Sequence, residues 1–160
     1  MTQLCLKELR SHNLHPIQPF SEMKGTKIKT IRTVKAIARH QSRKIMVANV
    51  ESFNHHSGHK KDLFGIFDAL AVERSASGAT LIRGLQACGA SDWQEHVRKL
   101  QGNILTCELW LAAGNTTIEL WGWRKVKRRG QRVFRPRVQL ITLAFLKGEE
   151  TGKATEVFGD

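Results

Sequence analysis

Apolar residues along this chain follow two rhythms. Over residues 26–43, Ile28, Ile31, Val34 (or Lys35) and Ala38 recur at helical spacing with cations on the other face, which predicts an amphipathic helix. Residues 45–53, IMVANVESF, are short, apolar and β-prone and predict a strand. A polar loop, His55, His56, Ser57, Gly58 and His59, separates it from a second predicted strand, 62–72, DLFGIFDALAV. Ser75, Ser77 and Gly78 mark a turn, and 79–88, ATLIRGLQAC, predicts a third strand. Ser91 or Asp92 then stands as the N-cap of a helix WQEHVRKLQ, helical pattern continues over 103–112, and Gly114 is placed to stop it. Residues 116–125 and 132–145 predict two further strands, the second with Pro136 at a bend or edge.

This order predicts one α/β domain, residues 25–146, with a mixed central sheet flanked by helices. Asn13, His15, Pro16 and Pro19 make residues 1–24 an expected weakly ordered arm, and residues 147–160 an expected loose tail. The length of 160 residues, 41% of them hydrophobic, supports a single core. No apolar run is long enough to span a membrane, and MTQLCLKELR lacks the apolar region of a signal peptide, so a cytoplasmic location is expected. Cys5, Cys88 and Cys107 are odd in number, widely spaced and without a CxxC, which favours a reducing compartment over a disulfide framework or a zinc ribbon.

Charge changes the picture. The formal net charge is +12, and the cations are concentrated. No acid lies between Glu22 and Glu51, a stretch holding Lys24, Lys27, Lys29, Arg32, Lys35, Arg39, Arg43 and Lys44. None lies between Glu119 and Glu149, where Arg124, Lys125, Lys127, Arg128, Arg129, Arg132, Arg135 and Arg137 cluster. Two acid-free blocks in one small domain repel themselves unless an anion compensates, so a polyanion, DNA first and RNA second, is the expected partner. An amphipathic membrane anchor fits less well, because no apolar face accompanies the charge. Within the second block, KVKRRGQRVFRPR (125–137) has the pattern of a β-hairpin tipped by Arg-Gly, an element suited to a nucleic-acid groove or backbone.

Three polar residues stand inside or at the end of predicted strands: Glu51, Asp68 and Gln86. A carboxylate in an apolar strand is costly unless it is paired or binds a cation. If these strands are neighbours, two carboxylates and an amide oxygen form a hard oxygen site suited to Mg²⁺ or Mn²⁺, of the kind that assists phosphodiester hydrolysis. The plainer alternative is that Asp68 pairs with a cation such as Arg83 and that Glu51 pairs with a nearby Lys. Asp62, after Lys60 and Lys61, is expected to be solvated, and Cys88 and Cys107 to be inert core thiols. His55 and His59 are four residues apart, but Ser57-Gly58 between them favours a loop over a zinc-binding helix; His96 is expected to be exposed. Trp110 reads as core, whereas Trp121 and Trp123, two apart beside Arg124 and Lys125, are read either as a stacking platform or as packing under a helix.

The segments Lys61–Asp68, Leu85–Cys88, Trp110–Gly114 and Trp121–Lys125, in the order helix, strand ending in Glu, strand with Gly-x-x-Asp, strand with Gln-x-x, helix, resemble the PD-(D/E)XK nuclease superfamily over about residues 26–127. The closest likeness is to Holliday-junction-resolvase-like and small phage or prokaryotic endonucleases. The resemblance implies a restriction-endonuclease-like fold and an Mg²⁺- or Mn²⁺-dependent endonuclease or structure-selective resolvase. It implies Asp68 as metal ligand, Gln86 in the place of the motif Glu, and Glu51 completing the site. Such enzymes are commonly dimers. The motif lysine, which orients the attacking water and stabilises developing charge, is replaced here by Cys88, leaving Lys60, Lys61 or Lys99 as candidate substitutes. Arg32, Arg39, Lys60, Lys61, Arg124, Lys125, Arg128 and Arg129 are the expected nucleic-acid contacts. The missing Lys and Glu also define the alternative, a catalytically degenerate nuclease-fold protein that binds nucleic acid within a larger DNA-processing or phage assembly.

Overall fold

The hydrophobic pattern resolves into a sheet with helices on both faces. The computed structural model describes residues 27–40, 45–53, 56, 58–74 and 77–157; the expected arm, 1–24, lies outside them. The elements are α1 (Lys27–His40), β1 (Ile45–Asn49), β2 (Ser52–Phe53), β3 (Lys60–Lys61), β4 (Ala69–Arg74), β5 (Thr80–Gly89), α2 (Trp93–Gly102), α3 (Ile104–Ala112), β6 (Thr116–Arg128), β7 (Gln131–Ile141), α4 (Leu143–Lys147) and β8 (Thr155–Glu156). Six strands form one mixed sheet in the order β1-β4-β5-β6-β7-β8, while β2 and β3 pair separately. Only β5 and β6 run parallel; every other neighbouring pair in the large sheet is antiparallel. A parallel pair needs a long crossover, and α2 and α3 provide it.

Alternation along the strands builds two cores. On one face Ala69, Ala71, Leu85, Trp121 and Trp123 pack with Ile37 of α1. On the other, Cys88, Ile118, Leu120 and Ile141 pack with Trp93, Val97 and Leu100 of α2, Cys107 of α3 and Leu146 of α4. The chain is thus a single α/β domain, its six-stranded mixed sheet packed against four helices.

The buried face of α1 matches the expected apolar stripe only in part, with Val34 packed against the core. Thr30, Thr33 and Ile37 are buried, whereas Ala38 is exposed. Threonine can turn inward because its hydroxyl is satisfied there: Thr33 Oγ1 donates to the Lys29 carbonyl (3.1 Å) and accepts from Trp123 Nε1 (2.9 Å). Trp121 and Trp123 are therefore packing residues under α1, not a stacking platform. Asp92 occupies the N-cap position of α2 but makes no side-chain cap bond; its carboxylate takes Lys29 Nζ at 2.5 Å and ties α1 to the start of α2.

The expected strand 62–72 splits. Leu63 and Phe67 exchange backbone hydrogen bonds (2.9 and 3.0 Å) across a tight turn in which Phe64 and Gly65 both have positive φ. Gly65 supplies a conformation that strands do not use, so LFGIF folds back on itself and only Ala69–Arg74 enters the large sheet. The expected strand 132–145 ends at Ile141, where Thr142 caps the short α4 by accepting from the Phe145 N–H (3.1 Å). Beyond Lys147, Thr155 and Glu156 pair with Val138 and Arg137 as β8. The expected hairpin over 125–137 is present: Arg128 pairs with Gln131 around Arg129-Gly130, both at positive φ, as the tight hairpin turn requires.

Gly84 carries a packing constraint. A Cβ there would collide with the ring of Phe67, which closes the turn before Asp68. Gly84→Ala is expected to cost roughly 1–3 kcal/mol through overpacking. Gly102→Ala, with open space around it at the end of α2, is expected to be neutral or slightly stabilising. Urea melts of the two variants test this, and equal midpoints would contradict it.

Candidate active site

Asp68 is placed by backbone on both sides. Its N–H donates to the Leu85 carbonyl (2.9 Å), and its own carbonyl accepts from the N–H groups of Val50 (2.9 Å) and Glu51 (3.2 Å). The residue thus joins the start of β4, the strand β5 and the segment just after β1. Its carboxylate is buried, with Oδ2 accepting from the Ala87 N–H (2.7 Å) and from Gln86 Nε2 (2.9 Å). The three residues singled out in the sequence do come to one end of the sheet, with Asp68 just before its strand and not in the middle of one. Asp68 does not pair with Arg83; that guanidinium instead holds Glu119 through two 2.8 Å bonds and Glu73 at 3.3 Å.

Burial pushes the Asp68 carboxyl up to about 7. The Ala87 N–H opposes that shift, Asp62 adds to it, Lys99 opposes it, and Glu51 adds to it. Three carboxylates and one ammonium therefore share a field at this end of the sheet. Asp62 is not solvated as expected: its side chain is 15% exposed and pairs with Lys99 of α2. Lys61 is exposed on β3, whereas Lys99 lies close enough for its charge to act on Asp68. His96, one turn before Lys99, is half-buried and not exposed as expected; burial first, then the charge of Lys99, holds its imidazole below the ordinary value. The sequence signal for this pair was the i, i+3 spacing of His96 and Lys99 on an amphipathic helix.

Cys88, in the motif-lysine position, is fully buried, and burial pushes its thiol up to about 12, so it is a neutral core group. Cys107 is likewise buried, its thiol raised to about 11 by burial. Trp110 packs its ring 4.6 Å from Phe67 and donates Nε1–H to the Thr117 carbonyl (2.9 Å), holding α3 against the turn that precedes Asp68. Of the histidine loop, His56 and His59 are exposed, and His55 lies outside the described residues.

The donor set suits a hard cation sparingly. Among the described residues no three His, Cys, Asp or Glu side chains gather to hold a metal ion. Gln86 adds what such a group would need: its Oε1 is buried without a hydrogen-bond partner among the described residues, beside the Asp68 carboxylate. Mg²⁺ is commonly held by one or two carboxylates plus waters and substrate phosphate, so Asp68, the Gln86 carbonyl and Glu51 fit its chemistry without a closed protein cage.

The expected nucleic-acid contacts divide by position. Arg32 and Arg39 lie on α1, with the Arg32 guanidinium 3.7 Å over the Phe134 ring. Arg124 pairs with Glu156, Lys125 lies 5.4 Å over Phe134, and Arg128 and Arg129 reach the hairpin turn. Lys60 and Lys61 form β3, paired with β2. Among the described residues no helix is long and apolar enough to cross a membrane.

No protein-family model matches the chain, no curated protein is detectably similar to it, and no solved structure matches it. The protein is an α/β domain with a buried acid–amide pair and a lysine at one end of its sheet.

The raised Asp68 carboxyl makes stability pH-dependent. Between about pH 4 and pH 7 the folded protein holds a proton that the unfolded chain has released, so stability falls as pH rises through that window and then levels off. Asp68→Asn cannot ionise and escapes this loss. Relative to the parent it is expected to gain roughly 2–4 kcal/mol between pH 5 and pH 8. Urea melts at the two pH values read the gap; a gap that does not change with pH would refute the assignment.

Proposed function

We propose that the protein is a metal-dependent nuclease that hydrolyses phosphodiesters in DNA, as an endonuclease or structure-selective resolvase. The observation that carries this reading is the buried Asp68–Gln86 pair facing Lys99. The element order supports it in part: the helix, the strands next to Glu51 and Asp68, the strand holding Gln86 and the following helix come in the order the resemblance implies, with the small β2–β3 pair inserted between β1 and β4. Asp68, the Gln86 carbonyl and Glu51 would hold Mg²⁺ or Mn²⁺, which when bound supplies Lewis acidity at the scissile phosphate. Lys99 would fill the role that Cys88 cannot: an ammonium held by Asp62, near enough for its charge to act on Asp68, would orient water and offset the negative charge that develops on phosphorus oxygens. A neutral His96 beside it can accept or pass a proton. The basic blocks hold the substrate backbone. The free thiols of Cys88 and Cys107 fit work in a reducing compartment.

A second reading keeps the same scaffold as a nucleic-acid-binding module without cleavage, favoured by the neutral, buried Cys88. One assay separates the two. Labelled linear, flapped, four-way and single-stranded DNA are incubated with Mn²⁺ or EDTA. The nuclease reading expects cutting that EDTA and Asp68→Ala abolish, that Lys99→Ala slows by about 10²-fold, and that Cys88→Ala leaves nearly intact. Salt-sensitive binding with no cutting of any substrate would replace it with the binding-module reading.

A further inference from the structure

The cations of α1 and of the β6–β7 hairpin meet. Beyond the pairing of Gly89 with Trp123, β5 has ended and the hairpin continues alone to Arg129-Gly130. Its inner side and the outer side of α1 enclose an open cleft of about 280 Å³, lined by Arg32, Lys35, Arg39, Trp123, Phe134 and Arg135 among others. Four of its lining residues are cationic and none is acidic. Arg32, Lys35 and Arg39 fall at i, i+3 and i+7, one face of a helix. Among the described residues, none of these three has an acidic side chain in an ion pair with it. The Arg32 guanidinium carbon lies over the Phe134 ring, 3.7 Å from its centroid, a contact that holds the group at the cleft and lowers the entropy lost on gripping an anion.

We propose that this cleft is a binding site for the sugar-phosphate backbone of a DNA strand, separate from the site at Asp68. Several features favour phosphate over other anions. The arginines suit bidentate phosphate contacts, no acidic side chain lines the cleft, and the open shape admits a continuous chain. The size suits a short run of backbone and not a base pair. The cleft lies on the α1 face, whereas Lys99 and His96 stand on α2 of the opposite face. Both open at the end of the sheet where β5 finishes, since Asp68 precedes the Ala69–Leu85 pairing and Trp123 is opposite Gly89. A strand gripped in the cleft is therefore carried over the sheet end toward Asp68. That last step rests on the nuclease reading; the cleft as a backbone site does not.

The test is equilibrium binding of a fluorescent 20-base-pair DNA duplex (a probe length we choose), measured by anisotropy in EDTA across a salt series. EDTA removes any contribution from cleavage, so an inactive protein leaves the test intact. Lys35→Gln/Arg39→Gln alters two exposed side chains and leaves the cores untouched. It is expected to weaken binding about tenfold or more at low salt and to reduce the salt slope by roughly 2. Arg32→Gln is expected to weaken binding as well. Arg74→Gln, which removes a cation where β4 ends against Thr80 at the far end of the sheet, is expected to change the Kd by less than about twofold. If the double variant matches Arg74→Gln in affinity and slope, the cleft is not the backbone site.

Discussion

The structure turns on one buried carboxylate. Asp68 could be left unpaired only at a cost of several kcal/mol, so its surroundings are arranged around Oδ2. The Ala87 N–H and Gln86 Nε2 both point at it. For that, β5 must present residues 86 and 87 opposite the entry to β4, and the entry must be a tight turn instead of a straight strand. Gly65 permits the turn, Phe67 closes it, and Gly84 leaves room for the Phe67 ring on the neighbouring strand. Local backbone conformation, sheet register and the position of one functional group are thus a single constraint.

A second consequence is the division of labour between faces. Parallel pairing of β5 and β6 demands a crossover, and the crossover helix brings Lys99 and His96 over the same strand that supplies Gln86. The opposite face is covered by α1, which is short of apolar residues and compensates with threonines bonded inward and arginines displayed outward. Charge density that would destabilise a helix alone is eased there because the hairpin offers the Phe134 ring as a surface for Arg32 to lie on.

Much of this was legible in the sequence and some was not, for identifiable reasons. Helix α1, the hairpin and the strands β1, β4 and β5 follow from periodicity and turn residues, although the expected strand 45–53 stops at Asn49 and Glu51 and Asp68 fall just outside their strands. The split of DLFGIFDALAV does not, because an apolar run reads as a strand and a single glycine is equally at home in a strand or a turn. The Asp62–Lys99 pair joins residues 37 apart. Such contacts are set by how the crossover helix docks, which no local pattern encodes. The inward face of α1 is hidden from the sequence for a related reason: the partner that makes Thr33 comfortable in the core, Trp123, lies 90 residues away. Residue types were readable; their company was not.

The protein also offers an internal comparison that bears on what Asp68 is for. Among the described residues the other buried ionic group, Arg83, is treated as a structural charge is normally treated. Two of its nitrogens bond Glu119, a third reaches Glu73, and Trp121 Nε1 donates to the same Glu119 carboxylate at 2.9 Å. Its opposite charges lie beside it. At Asp68 the same sheet does the reverse. The carboxylate receives two neutral donors, sits near two further carboxylates that raise its pKa, and lies beside an amide whose oxygen has been buried without a partner among the described residues. A chain able to satisfy Arg83 so fully has the means to place a cation against Asp68, and it places Lys99 against Asp62 instead. Stability alone gives no reason for that arrangement. The proposed metal-dependent reading supplies one, because an acid already neutralised by an internal partner could not exchange a bound cation.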